Sequence, residues 1–335
     1  MKKRSVYLFA GFFVAVTLIA AGRGLAAPYY EGKVVTIVVG YAPGGGYDRM
    51  ARLLAKHLSK YVPGKPSIVI QNMPGATSMI AANHIYNIAK PDGLTIGSFD
   101  RGLPLAQLLK AEGVRFDLTK FSWIGAAAVE STILSIRTDL PYKNFNDLLK
   151  AKEEIVLGSV GPGNTGHQFV LLLAQFLALK ARQIVYPSSA DVILAIDRKE
   201  VDGCAFIYNS MKPHIARGLL RPVIRSRVSQ SGIENLPVNE ELTTDKMGKA
   251  LMGMLSVGDQ VGRPYVAPPG TPSDLLRILR EAFAKVARDP ELQEEAKKAM
   301  MDVQYVTAEE SLKAIDFVLN RPQEIIREFS KYVKF

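Results

Sequence analysis

The chain has 335 residues, 48% of them apolar, a formal net charge of +10 and a single cysteine. That length is more than one hydrophobic core usually serves, so two domains are expected, and the lone Cys204 excludes an intramolecular disulfide. Lys and Arg are spread among acids rather than clustered on one face, which excludes a nucleic-acid footprint and leaves only a weak suggestion of an anionic ligand.

Lys2, Lys3 and Arg4 precede an almost uncharged run from Val6 to Gly22 and a small-x-small site, Gly24-Leu25-Ala26. This is the layout of a secretory signal peptide over 1–26, with export to the periplasm; a membrane anchor is the alternative, because the run is near the lower length limit of a spanning helix. Loss of the leader removes four bases and no acid, leaving a net charge of about +6.

From Lys33 to Gly40 the residues read as a buried strand, followed by the turn YAPGGGYD at 41–48. A helix is expected from Asp48 as its N-cap, with Met50, Leu54, Leu58 and Tyr61 on the apolar face. A strand at 68–70, the turn QNMPGATS at 71–78, a helix and a strand at 94–98 running into Phe99, Asp100 and Arg101 complete the first series. The pattern restarts with a strand at 155–158, the turn GSVGPGNTG at 158–166, and an apolar helix over 167–181. A strand at 183–186, PSSAD at 187–191, a helix and a strand at 204–208 follow. Strands alternating with helices predict an α/β fold with mainly parallel sheets, arranged as two similar lobes. Near the C-terminus, Thr271, Pro272 and Asp274 read as a capping-box helix start, and Thr307-x-x-Glu310 as a second.

Gly44, Gly45 and Gly46 let backbone N–H groups converge at a helix start, where free donors and the helix dipole favour an anion; the alternative is an ordinary turn that only needs positive φ. The Gly-Lys-Ser/Thr ending of a phosphate loop is absent, Tyr47-Asp48 standing in its place. Gly161-x-Gly163-x-x-Gly166 matches a dinucleotide fingerprint, but the next strand ends in Pro187, Ser188 and Ser189 rather than in an acid for the ribose. Ser159, Asn164 and Thr165 there offer short polar groups suited to carboxylate oxygens, or they merely cap the helix. Arg101 can meet a ligand carboxylate bidentately or pair with an acid such as Asp100. Nucleophile elbows and zinc motifs are missing, His57, His84, His167 and His214 are scattered, and Cys204 reads as a buried inert thiol. No enzyme activity, cofactor or metal is therefore expected.

GYAPGGGYDRMAR at 40–52, QNMPGATS at 71–78, KPDGLTIG at 90–97, FSWIGA at 121–126, LPYKNFNDLL at 140–149, GSVGPGNTGH at 158–167, EVDG at 200–203 and APPGTP at 267–272 follow one another in an order that resembles the Bug family, the substrate-binding proteins of tripartite tricarboxylate transporters. Asn164 stands where the family often has Ser, Tyr186-Pro187-Ser188 replaces a Tyr-Lys-Gly turn, and 228–262 matches poorly, so the chain resembles a divergent branch. The resemblance implies a type II periplasmic-binding-protein fold, two lobes joined by crossover strands, with a di- or tricarboxylate, acidic amino acid or aromatic acid between them. It also implies integral membrane transporter subunits as partners. The lobes are expected at 27–126 plus 229–335 and at 127–228, in a monomer. The candidate ligand set is Tyr41, Gly44, Gly45, Gly46, Asp48, Asn72, Gly75, Ala76, Thr77, Ser78, Arg101, Ser159, Gly161, Gly163, Asn164 and Thr165. Two rivals use the same lobes: a sensory receptor for a membrane kinase and an exported α/β enzyme.

Overall fold

The run VVTIVV forms a strand whose Val35, Ile37 and Val39 enter one apolar cluster while Val38 enters another on the opposite face, as a period of two requires. The computed structural model describes residues 27–333, and the signal peptide expected at 1–26 lies outside them. In chain order the first stretch comprises β1 (Val34–Val39), α1 (Gly46–Leu58), β2 (Ser67–Asn72), α2 (Met79–Asn87), β3 (Thr95–Ser98), α3 (Leu103–Leu108) and β4 (Ser122–Ala126). The middle comprises β5 (Thr132–Arg137), α4 (Phe145–Leu149), β6 (Ile155–Ser159), α5 (Thr165–Leu177), β7 (Ala181–Val185), α6 (Ser189–Asp197), β8 (Gly203–Ile207), α7 (Tyr208–Ala216) and β9 (Leu220–Arg225). The last stretch comprises α8 (Lys246–Val261), β10 (Pro264–Ala267), α9 (Ser273–Val286), α10 (Pro290–Lys298), β11 (Val306–Thr307), α11 (Ala308–Leu319) and α12 (Gln323–Tyr332).

These strands make two sheets, of order β11-β4-β10-β3-β1-β2 and β7-β6-β8-β5-β9. Each is mixed rather than mainly parallel. The ladders β2-β1-β3 and β7-β6-β8 are parallel, whereas β10 runs against β3 and β4, and β5 runs against β8 and β9. The reversal follows from the crossings. The chain leaves the first sheet after β4, and it returns through α8 to β10, which enters the first sheet from the cleft side and so runs opposite to β3.

Packing divides the last stretch between the two sheets. Leu251, Met252 and Leu255 of α8, Val318 of α11 and Phe329 of α12 share a buried cluster with Leu157 of β6 and Phe169, Leu172 and Leu173 of α5. A helix as apolar as α5 needs a cover on its outer side, and the C-terminal helices supply it.

Three local expectations change. The first helix starts at Gly46 with Gly45 as N-cap, three residues before the expected cap Asp48. The fifth ends at Leu177, because Ala178 turns left-handed (φ 56°) and closes the helix. Thr271 does not cap α9; its hydroxyl donates back to the Pro268 carbonyl at 2.8 Å. The box at Thr307 and Glu310 is formed, with both reciprocal bonds. Among the described residues no helix is long and apolar enough to cross a membrane.

Candidate functional site

A cleft with about 60 Å3 of room lies between the sheets, lined from the first by Tyr41, Ala42, Gly45, Gly46, Tyr47, Asp100 and Arg101. The second contributes Val160, Asn164, Thr165, Gly166, Ser188, Ser189, Phe206, Ile207 and Ser210. Room of that size holds roughly four or five waters, so a larger ligand needs more space than this arrangement offers. The lining sits where β1, β3, β6 and β8 end and α1, α5, α6 and α7 begin. Carboxyl ends of strands from two sheets therefore meet, with four helix starts around one space.

Those helix starts are not equivalent. Asn164 caps α5 by accepting from the Gly166 N–H at 2.9 Å, and Ser188 caps α6 by accepting from the Asp191 N–H at 3.2 Å. The N-cap positions of α1 and α7, Gly45 and Ile207, make no side-chain cap. The first N–H of α7, that of Tyr208, donates to the Ser131 carbonyl at 2.9 Å; the other first-turn N–H groups of the two helices have no intrahelical acceptor to meet, which suits an anion. The two uncapped turns approach each other closely: a Cβ added at Gly46 would overlap the Ser210 hydroxyl of α7 and lie 2.9 Å from Arg263 Nη1. Gly45, at φ −73°, needs no left-handed freedom, and a Cβ there would lie 3.2 Å from the Ser189 hydroxyl.

Six candidates from the sequence line this cleft: Tyr41, Gly45, Gly46, Arg101, Asn164 and Thr165. The other ten lie outside the lining, and most are engaged in holding the turns. Asp48 accepts from the Gly44 N–H at 2.8 Å, Arg52 Nε at 2.9 Å and Asn72 Nδ2 at 2.9 Å. Burial alone would raise its carboxyl; the donors outweigh burial and hold it below the ordinary aspartate range. Asn72 also donates to the Tyr41 carbonyl at 2.8 Å. Gly75, Ala76, Thr77 and Ser78 form a left-handed stretch from which the Ser78 hydroxyl donates to the Gly40 carbonyl at 3.0 Å. In the second turn Ser159 pairs with His167 Nδ1 at 2.7 Å and accepts from the Gly161 N–H at 3.1 Å, while Gln168 reaches the Gly163 carbonyl at 3.4 Å.

Arg101 is buried at the cleft and pairs with Asp259 at 3.0 Å and with the Thr132 hydroxyl at 2.7 Å; its Nε and Nη1 have no protein partner. Behind Ser210, the fully buried Arg263 donates from Nε to Glu130 at 2.7 Å and from Nη2 to the Ser210 hydroxyl at 3.2 Å, and its Nη1 is unpartnered. Burial pushes the carboxyls of Glu130 and Asp259 up, opposed by these arginines. Both pairs stand at the crossings between sheets, Glu130 just before β5 and Asp259 near the end of α8.

Asp100 is the remaining buried acid of this group, and among the described residues no basic group lies within ion-pair distance of it. Its Oδ2 accepts from the Tyr41 hydroxyl at 2.6 Å, and its Oδ1 from the Gly102 N–H at 2.7 Å and the Thr165 hydroxyl at 3.4 Å. Burial pushes the Asp100 carboxyl up, while the nearby Arg101 charge and these donors pull it back. The Tyr41 ring stacks on Tyr47 at 5.0 Å, and Arg263 lies 5.4 Å from the Tyr47 ring. A line Asp100, Tyr41, Tyr47, Arg263 thus runs from an acid to a base along one wall. Val160, Phe206 and Ile207 supply apolar surface elsewhere.

Ser189 and Ser210 were absent from the sequence candidates, although PSSAD and YNS stand at strand-to-helix junctions like the glycine turns. Arg263, Glu130 and Asp259 carry no local motif; only the fold assembles them. One group elsewhere has metal-ligand types, His57, Asp289 and Glu291, with ligand atoms within 4.8 Å of one another. Lys60 donates to both carboxylates, at 3.0 and 2.6 Å, so the cluster is already charge-paired.

The match to known proteins is extensive. A UPF0065 protein of Bordetella pertussis is 25% identical over 321 residues, covering 93% of this chain and 94% of that protein. The solved structure of the periplasmic binding protein BugD superposes with a TM-score of 0.75 at 23% identity, covering 91% of this chain and all of that one. R. palustris Rpa4515, solved with adipate, gives a TM-score of 0.73 at 20% identity over 90% of this chain and 99% of its own. These likenesses show the two-lobed periplasmic-binding-protein fold. Residues 50–330 match the model of the tripartite tricarboxylate transporter family receptor, and the chain belongs to that family of solute-binding proteins.

Proposed function

We propose that the protein is an exported receptor that captures a small carboxylate in the interlobe cleft and delivers it to the membrane subunits of a tripartite tricarboxylate-type secondary transporter. The observation that carries this reading is the pair of uncapped first turns, α1 from one sheet and α7 from the other, facing one cleft beside the Ser189 and Ser210 hydroxyls. Backbone donors and hydroxyls on both sides let an anion stabilise the closed state, because only closure brings both sets to it. The adipate held by the R. palustris relative is of the same chemical class. Delivery by closure needs no covalent step, and the buried pairs at the crossings suit a hinge whose two sides stay ordered.

Calorimetry with an acid and its amide tests the ligand class. Loss of one charge-assisted hydrogen bond costs about 1.5 to 3 kcal/mol, roughly ten- to a hundredfold in affinity, so the acid should bind that much tighter. Equal affinities would remove the carboxylate assignment. Export is tested separately: protein from a periplasmic extract should begin near Ala27, and an intact Met1 or retention in the membrane pellet would count against it.

A further inference from the structure

We propose that the cleft is polarised: it takes one carboxylate between the first turns of α1 and α7, and at Asp100 it disfavours a second negative charge, so that its ligands are small monocarboxylates whose far end donates a hydrogen bond. The inference rests on the carboxylate reading above and narrows it. At the anion end, the uncapped turns are backed by Arg263, which is fully buried and keeps Nη1 unpartnered beside Gly46. An unused guanidinium donor next to open helix starts is a place for negative charge.

The part of the lining around Asp100 has the reverse character. Asp100 lines the cleft, and the two buried arginines each pair with another acid, Arg101 with Asp259 through Nη2 and Arg263 with Glu130 through Nε, although Arg101, also in the lining, keeps Nε and Nη1 unpartnered. The donors to Asp100, the Tyr41 hydroxyl, the Gly102 N–H and the Thr165 hydroxyl, are satisfied together by an ionised carboxylate. Thr165 is the first residue of α5, so the chain's own acid already stands at that helix start, the position that the second glycine turn offered to a ligand. A ligand carboxylate there would face Asp100 in a desolvated space, where like charges repel strongly, whereas a hydroxyl or ammonium would be attracted.

The test measures affinity by calorimetry for succinate, adipate and terephthalate, each against the acid in which one carboxylate is replaced by CH2OH or CH2NH3+. In the parent protein each best donor-bearing acid should bind at least about tenfold tighter than its matched dianion. Asp100→Asn, checked for folding by circular dichroism, should strengthen dianion binding by at least about tenfold and erase most of that preference. Dianions that bind the parent as well as or better than their partners would overturn the inference and leave the carboxylate reading standing, as the acid–amide comparison would show. If the Asn variant does not fold, the parent's ratios decide alone. Binding by no acid of either kind would overturn both.

Discussion

The turns at 40–48 and 158–166 occupy equivalent places, each joining the middle strand of its sheet's parallel ladder to the helix that opens on the cleft. They differ in what fills the helix start. The first leaves Gly45 without a side-chain cap, and Asp48, two residues inside the helix, turns back to the Gly44 N–H. The second caps itself through Asn164 and has Asp100 of the other sheet beside Thr165. Two glycine-rich turns of like appearance thus make one open anion position and one already satisfied by the protein. Glycine supplies access; the neighbouring side chains decide whether it is used.

The contrast can be broken most severely from behind the open turn. Glu130→Ala would leave the Arg263 guanidinium buried without its acid and cost about 3–5 kcal/mol of stability, measurable by urea unfolding. A change under about 1 kcal/mol would show that this pair does not hold the site together. Gly46→Ala acts on the turn itself. Its methyl would collide with the Ser210 hydroxyl and crowd the buried Arg263, so affinity should fall about a hundredfold, measured where circular dichroism shows the variant folded, since crowding of Arg263 also lowers stability. Gly45→Ala, with ordinary backbone angles and 3.2 Å of clearance to Ser189, should weaken binding less. If the two variants bind alike, the close approach of α1 to α7 is not what closure requires.

Asp48→Asn removes a buried charge that accepts three hydrogen bonds, and should cost about 1.5 to 3 kcal/mol near neutral pH. Because the folded carboxyl is held below its unfolded value, its contribution is full above the ordinary aspartate range and is lost as pH falls through the depressed value. The gap between parent and variant should therefore shrink in acid, and a gap independent of pH would mean that the charge is not what stabilises the turn. Asn164→Ala, the smallest change, deletes the cap of α5 and should cost about 1 kcal/mol in thermal unfolding. A loss of affinity as large as that of Gly46→Ala would reverse the assignment of open and closed turns.

Residues close in sequence determined much of this protein. Alternation in VVTIVV, the glycines after it, the apolar face of α1 and the box at Thr307 and Glu310 depend on neighbours a few positions apart, so the α/β series and both cleft turns could be read directly. Tertiary structure decided the chemistry. Arg263 lies 133 positions from Glu130, Arg101 lies 158 from Asp259, and Asp100 meets Thr165 across 65, separations over which no local pattern survives. Which helix starts stay open depends on side chains that the two sheets bring together from opposite sides of the cleft. Charge and hydrogen bonding act through space, and only the folded chain sets those distances.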